Sequence, residues 1–137
     1  NIENCGIMPA GILALAKSPS LKNLEEIILN KNDIKDKGLQ HLAASQNFAK
    51  LKSLKASDVS VGDLAVKTLV LSQNLKNLEE LHLNGNSITR EGLEFLQDTP
   101  NLCALKKIDL RRNQFLYEDC IFLADSPRFK NMEVVRF

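Results

Sequence analysis

Leu78-Glu79-Glu80-Leu81-His82-Leu83-Asn84-Gly85-Asn86-Ser87-Ile88 reads L-x-x-L-x-L-x-x-N-x-I, and the rest of the chain lays out as copies of it. Moving back 27 positions gives Leu51, Leu54, Ala56, Val59 and Val61, and a further 27 gives Leu24, Ile27, Leu29, Asn32 and Ile34. Moving forward 27 gives Leu105, Ile108, Leu110, Asn113 and Phe115. Both ends keep the phase, with Ile2, Cys5 and Ile7 at one and Met132, Val135 and Phe137 at the other, so no insertion or deletion interrupts the 137 residues. A fixed period of this size is the signature of a repeat architecture, in which each unit buries its apolar face only by stacking on its neighbours.

Each period has the same parts. The L-x-x-L-x-L segment has the alternation of a short strand whose leucines point inward. The Asn that follows, at Asn32, Asn86 and Asn113, can hydrogen-bond the backbone of the next bend and satisfy peptide groups otherwise buried without partners. Cys5 can serve there more weakly, and Val59 cannot, which predicts a local defect in the third turn. Asp36, Asp63 and Thr89 then supply helix-start signals. A small residue recurs at Gly11, Gly38, Ala65 and Gly92, with Asp119 as the exception, where the helix approaches the neighbouring turn.

Apolar partners follow one and four positions later: Ile12 and Leu15, Leu39 and Leu42, Val66 and Leu69, Leu93 and Leu96, Cys120 and Leu123. They form one buried helical stripe. A hydroxyl closes each helix, at Ser18, Ser45, Ser72, Thr99 and Ser126, and Pro19, Pro100 and Pro127 stop three of them. Leu21, Phe48, Leu75, Leu102 and Phe129 return the chain to the core. The spacing predicts helices over approximately 9–17, 36–45, 63–72, 90–97 and 117–125.

At 137 residues a single domain spanning 1–137 is expected. Apolar residues make up 44% and charged residues 26%, the balance of a folded chain rather than a disordered one. The formal net charge of +1 is too small for the basic field that nucleic-acid or anionic-membrane binding requires, so neither partner is expected. The 3 cysteines form no C-x-x-C pair, which argues against a disulfide framework and for a reducing, cytoplasmic compartment. No apolar run approaches membrane-spanning length. The chain opens inside one repeat and closes in a strand motif, as a piece of a longer array would.

A strand and a full helix in a 27-residue period resemble the ribonuclease-inhibitor-like class of leucine-rich repeats, over the whole chain. Gly11-Ile-Leu-Ala-Leu-Ala16 and Gly38-Leu-Gln-His-Leu-Ala43 also resemble the G-A-x-A-L-A signature of GALA-type bacterial repeats, from which Val66, Gln97 and Asp119 depart. The resemblance implies an α/β solenoid in a horseshoe arc of about five such turns, with a parallel sheet on its concave side and helices on its convex side. It also implies protein binding through the sheet, either in the bacterial cytoplasm or, for a secreted effector, in the cytosol of a host cell.

That geometry turns equivalent strand positions into columns about 4.8 Å apart. One column reads Asn1, Ile28, Lys55, His82, Asp109, Arg136; the next outward reads Glu3, Asn30, Ser57, Asn84, Arg111; then come Asn4, Lys31, Asp58, Gly85, Arg112. The leading edge carries Glu25 and Glu26, Ser53, Glu79 and Glu80, then Lys106 and Lys107. The fifth turn is the sharpest feature, with Lys106, Lys107, Arg111 and Arg112 around Asp109. Such a cluster suits carboxylate recognition, because the guanidinium fork binds carboxylates in pairs of bonds. Alternatively these charges pair with Glu79, Glu80 and Asp109 on a solvated face. Leu116 and Tyr117 stand where other turns carry polar residues, and either line a rim or pack on a neighbouring turn.

His82 beside Asp109 invites a catalytic reading. It lacks a nearby nucleophile apart from Ser57 and Ser87, and it lacks an evident cleft with oxyanion donors. His41 falls on a helix surface. No metal-ligand spacing emerges and no cofactor is implied. The expected function is a protein-interaction module that covers a partner's functional surface, with an acidic partner patch meeting Arg111, Arg112, Lys106 and Lys107. Reversing Arg111 and Arg112 is expected to abolish binding and leave the melting temperature unchanged. The alternative is a recognition arm for a ubiquitin-ligase adaptor or bacterial effector whose activity lies elsewhere. The candidate contact residues are Ile28, Lys55, Ser57, His82, Asn84, Lys107, Asp109, Arg111, Arg112, Tyr117 and Arg136.

Overall fold

The 27-residue period becomes the register of a sheet. In the computed structural model, which describes residues 1–97 and 101–137, five strands run parallel in sequence order. They are β1 (Glu26–Ile28), β2 (Ser53–Lys55), β3 (Glu80–His82), β4 (Lys107–Asp109) and β5 (Val134–Arg136). Each residue pairs with the one 27 positions on, so that Ile27, Leu54, Leu81, Ile108 and Val135 stack in one row. The sheet is open and uncurled, and helices cover its other side.

Those helices are α1 (Pro9–Lys17), α2 (Lys35–Ala44), α3 (Asp63–Leu71), α4 (Arg90–Gln97) and α5 (Tyr117–Ala124). They lie within one residue of the spans expected from the sequence. Of the anticipated stripe, Ile12, Leu39, Leu42, Val66, Leu69, Leu93, Leu96 and Leu123 are buried, whereas Leu15 and Cys120 are only half-buried. The returning Phe48, Leu75, Leu102 and Phe129 complete a continuous aliphatic core.

Pro19 and Pro127 follow the ends of α1 and α5 as expected, and each also begins the next element. Pro19 opens a short 3-10 turn, Pro19–Leu21, and Pro127 opens a further helix, α6 (Pro127–Lys130). A first helical position needs no N–H donor, so proline starts a turn as readily as it stops one. The closing hydroxyl acts between turns: Ser45 Oγ donates to Ala16 O at 2.6 Å and Ser72 Oγ to Ala43 O at 2.6 Å. The helix-closing Thr99 and Pro100 lie outside the described residues.

The asparagine ladder forms, but each side chain serves the turn before its own. Asn86 Nδ2 donates to Ala56 O and Leu83 O, both at 2.9 Å, while its Oδ1 accepts Val59 N at 3.0 Å and Val61 N at 3.3 Å. Asn32 does the same for Cys5 N and Ile7 N. The third turn, expected to be defective because of Val59, is therefore satisfied from the fourth. The gap falls one turn earlier, where Val59 O accepts Lys35 N at 3.0 Å and Lys35 takes a left-handed φ of 55°.

Candidate protein-binding face

Just after each strand the backbone passes through a left-handed residue. Asn4, Lys31, Asp58, Gly85 and Arg112 have φ of 52°, 56°, 54°, 70° and 57°. This bend turns the chain out of the sheet and presents the side chains of that column along one edge. A Cβ on Gly85 would overlap the Asp58 carboxylate and lie 3.2 Å from Arg112 Nη2. Its absence leaves room for an ion pair that skips a turn, Asp58 Oδ2 to Arg112 Nη2 at 3.2 Å.

The cations of the fifth turn are paired. Lys106 Nζ meets Glu79 Oε2 at 2.9 Å and Lys107 Nζ meets Glu80 Oε1 at 2.7 Å. Hydrogen bonds from these lysines hold Glu79 and Glu80 below the usual carboxylate range, although burial works against this at Glu80. Arg111 grips its own turn's Asp109, with Nε to Oδ1 at 3.0 Å and Nη2 to Oδ2 at 2.6 Å. Burial alone would raise the Asp109 pKa, and the bonds from Arg111 outweigh it, so this 3% exposed carboxylate is held below its ordinary value.

The four-cation cluster is therefore neutralised by acids in the same and preceding turns, as the solvated-face alternative anticipated. Arg111 is also a structural partner of a buried acid. Reversing it would damage the fold as well as any binding, contrary to the unchanged melting temperature expected from the sequence.

One column escaped the sequence reading because Lys52 was passed over. Glu25, Lys52, Glu79, Lys106 and Glu133 stand 27 apart and alternate in sign. Lys52–Glu25 at 3.0 Å and Lys106–Glu79 at 2.9 Å join adjacent rungs. Lys55 Nζ likewise reaches Glu26 Oε1 at 2.7 Å. Reading every strand position at the period would have found this ladder.

The register brings Ile28, Lys55, His82, Asp109 and Arg136 into one row. Between β3 and β5 this row borders a recess of about 250 Å³, lined by Glu80, His82, Lys107, Ile108, Asp109, Val134 and Arg136. Glu80 is matched by Lys107 and Asp109 by Arg111. Arg136 is left as the surplus charge, since its contact with Asp109 is long at 4.0 Å. It has five N–H donors, and none has a hydrogen-bond partner among the described residues. Burial pushes the His82 pKa down against the pull of Asp109 and Glu80. His82 makes no hydrogen bond to Asp109 among the described residues, so the carboxylate that would orient a catalytic histidine is engaged elsewhere.

Ser57 and Asn84 are tied to the scaffold rather than free. Asn30 Oδ1 accepts Ser57 N at 2.9 Å, and Ser57 Oγ donates to Asn84 Oδ1 at 2.6 Å. Asn84 is half-buried as a result. Tyr117 and Leu116 are 78% and 70% exposed at the start of α5, away from the recess. Phe115 turns inward and meets the Phe137 ring edge-on, with centroids 6.4 Å apart.

Among the described residues no group of His, Cys, Asp and Glu is arranged to hold a metal ion, and no helix is long and apolar enough to cross a membrane. Residues 20–43 and 74–96 match the sequence profile described as Leucine Rich repeat. Among solved structures, an internalin from Listeria monocytogenes str. 4b F2365 is similar over 87% of this chain, with a TM-score of 0.52 and 24% identity. The chain spans only 36% of that protein's length. No curated protein matches it.

Proposed function

We propose that this leucine-rich-repeat solenoid is a protein-interaction module without catalytic activity of its own, and that its partner docks on the sheet face across β3 to β5. The observation that carries the reading is the recess, where a backbone of three-residue strands holds an apolar floor at Ile108 beside Arg136, whose guanidinium has only a long 4.0 Å contact with Asp109 and no hydrogen-bond partner among the described residues. Side chains on a rigid sheet are presented at little entropic cost on binding.

The chemistry asked of the partner is a carboxylate. It would meet Arg136 in two hydrogen bonds, with His82 and Lys107 lining the same recess from β3 and β4. This keeps the acidic partner expected from the sequence and moves its anchor from Arg111 and Arg112 to Arg136. Inhibition by occlusion fits such a face, because a partner seated there has the covered surface withdrawn from other contacts. Helices of eight to ten residues in every repeat support placement in the ribonuclease-inhibitor-like class. The Gly11 and Gly38 segments are the basis for a GALA-type relationship. The free thiols of Cys5 and Cys120 suit a reducing cytoplasmic compartment.

The test is capture of partners by the chain and by an Arg136→Glu variant. A binder retained by the first and lost from the second, at unchanged melting temperature, supports the reading. Binders common to both at equal affinity exclude this face.

A further inference from the structure

The outer surface of the helices carries a pattern that binding at the sheet does not explain. One outward column reads Ala10, Lys37, Leu64, Glu91 and Glu118, all exposed, and a second contains Lys17, Ala44, Leu71 and Asp125, also exposed. Leu64 and Leu71 are 50% and 57% exposed, and both belong to α3, the middle helix of the five. They border a groove of about 500 Å³ between α2 and α3.

Charge is graded to either side of this apolar centre. Lys35 is matched by Asp33 at 3.2 Å, and Lys17 on α1 with Lys37 against Asp36 on α2 leaves that flank positive. Asp63 and Lys67 balance on α3. Glu91 and Glu94 against Arg90 on α4, and Glu118 on α5, make the other flank negative, while the buried Asp119 is taken up by Arg90 at 3.0 Å. Lys67 also lines the groove, with its Nζ 5.1 Å over the Phe95 ring.

An apolar centre between a basic flank and an acidic flank is complementary to itself. A half-turn about an axis parallel to α3 sets Leu64 and Leu71 on the same residues of a second copy. The same operation places α2 over α4 and α1 over α5, so Lys37 meets the second copy's Glu91 and Lys17 meets its Asp125. An isologous two-fold contact requires this antisymmetry.

We propose that the helical face is a homodimer interface, centred on Leu64 and Leu71 and steered by the opposed charges of its flanks. The occupant of the groove is a second copy of this chain, and the sheet face of each copy stays open.

Sedimentation analysis of the whole chain over a wide concentration range tests this, with thermal melts as the folding control. A reversible dimer is expected, and Leu71→Glu should weaken it by at least about tenfold by burying a charge at the centre. Lys37→Glu and Glu91→Lys should each weaken it, since each sets like charges face to face, and the double variant should restore it. Restoration is something that a merely damaged fold would not show. A chain monomeric at every concentration overturns the proposal, as does a dimer indifferent to Leu71→Glu or a double variant that fails to recover. A monomer that instead captures a foreign protein on this face overturns it equally.

Discussion

Asn86 meets four backbone groups that burial would otherwise leave unpaired, two carbonyls and two N–H groups, and it is itself only 8% exposed. Asn86→Ala should therefore cost about 2–3 kcal/mol in chemical denaturation. Asn84 holds a single bond to Ser57, and Asn84→Ala should cost about 0.5–1 kcal/mol. Equal losses would mean that the two asparagines do not differ in role. Lys31 sits at a left-handed φ of 56°, a conformation that asparagine adopts at lower cost than lysine. Lys31→Asn should raise stability by up to about 1 kcal/mol despite losing the exposed contact with Glu3.

His82 sets a pH dependence. Burial lowers its pKa, so as pH falls through 6.5 the unfolded chain takes up the proton before the folded one. Stability should decline there, before the lowered carboxylates begin to contribute their own loss at more acid pH. His82→Gln should lack the first decline. A wild-type profile that is flat through this range, or identical to that of the variant, would rule out the burial of His82 as its cause.

At the scale of the element, period and polarity carried most of the information. Strand register, the five repeat helices and the buried stripe follow from leucine and glycine at fixed offsets, because only one face of each element can be apolar. Backbone conformation was less visible. The left-handed column has Asn, Lys, Asp, Gly and Arg in it, so the Gly and, more weakly, the Asn and Asp hint at its φ while the Lys and Arg hide it. The Asp58–Arg112 bridge was hidden for the same reason, since it depends on a missing Cβ two residues from the conspicuous Leu83. The charges were legible as letters but not as pairs, and pairing reversed the meaning of the basic cluster. Asp109→Asn should cost about 1–2 kcal/mol, because it removes the charge and one of the two oxygens that Arg111 grips at a buried group, while Arg111 regains water. Glu79→Gln removes an exposed, solvent-screened rung of the ladder and should leave the denaturation midpoint nearly unchanged.

Taken whole, the molecule is a stack in which each turn is completed by the next: asparagines reach back one turn, serines bond the preceding helix, and lysines pair with the preceding strand. Stability is thereby set by contacts between neighbours, and both faces stay available. The sheet face offers Arg136 and the recess, and the helical face offers Leu64 and Leu71. That division makes one comparison decisive. Partner capture should be measured in parallel for the wild-type chain, for Arg136→Glu and for Leu71→Glu, with all three equally folded by circular dichroism. The expected result is a bound protein kept by the wild type and Leu71→Glu and lost from Arg136→Glu. A partner kept by Arg136→Glu and lost from Leu71→Glu would contradict the assignment of binding to the sheet.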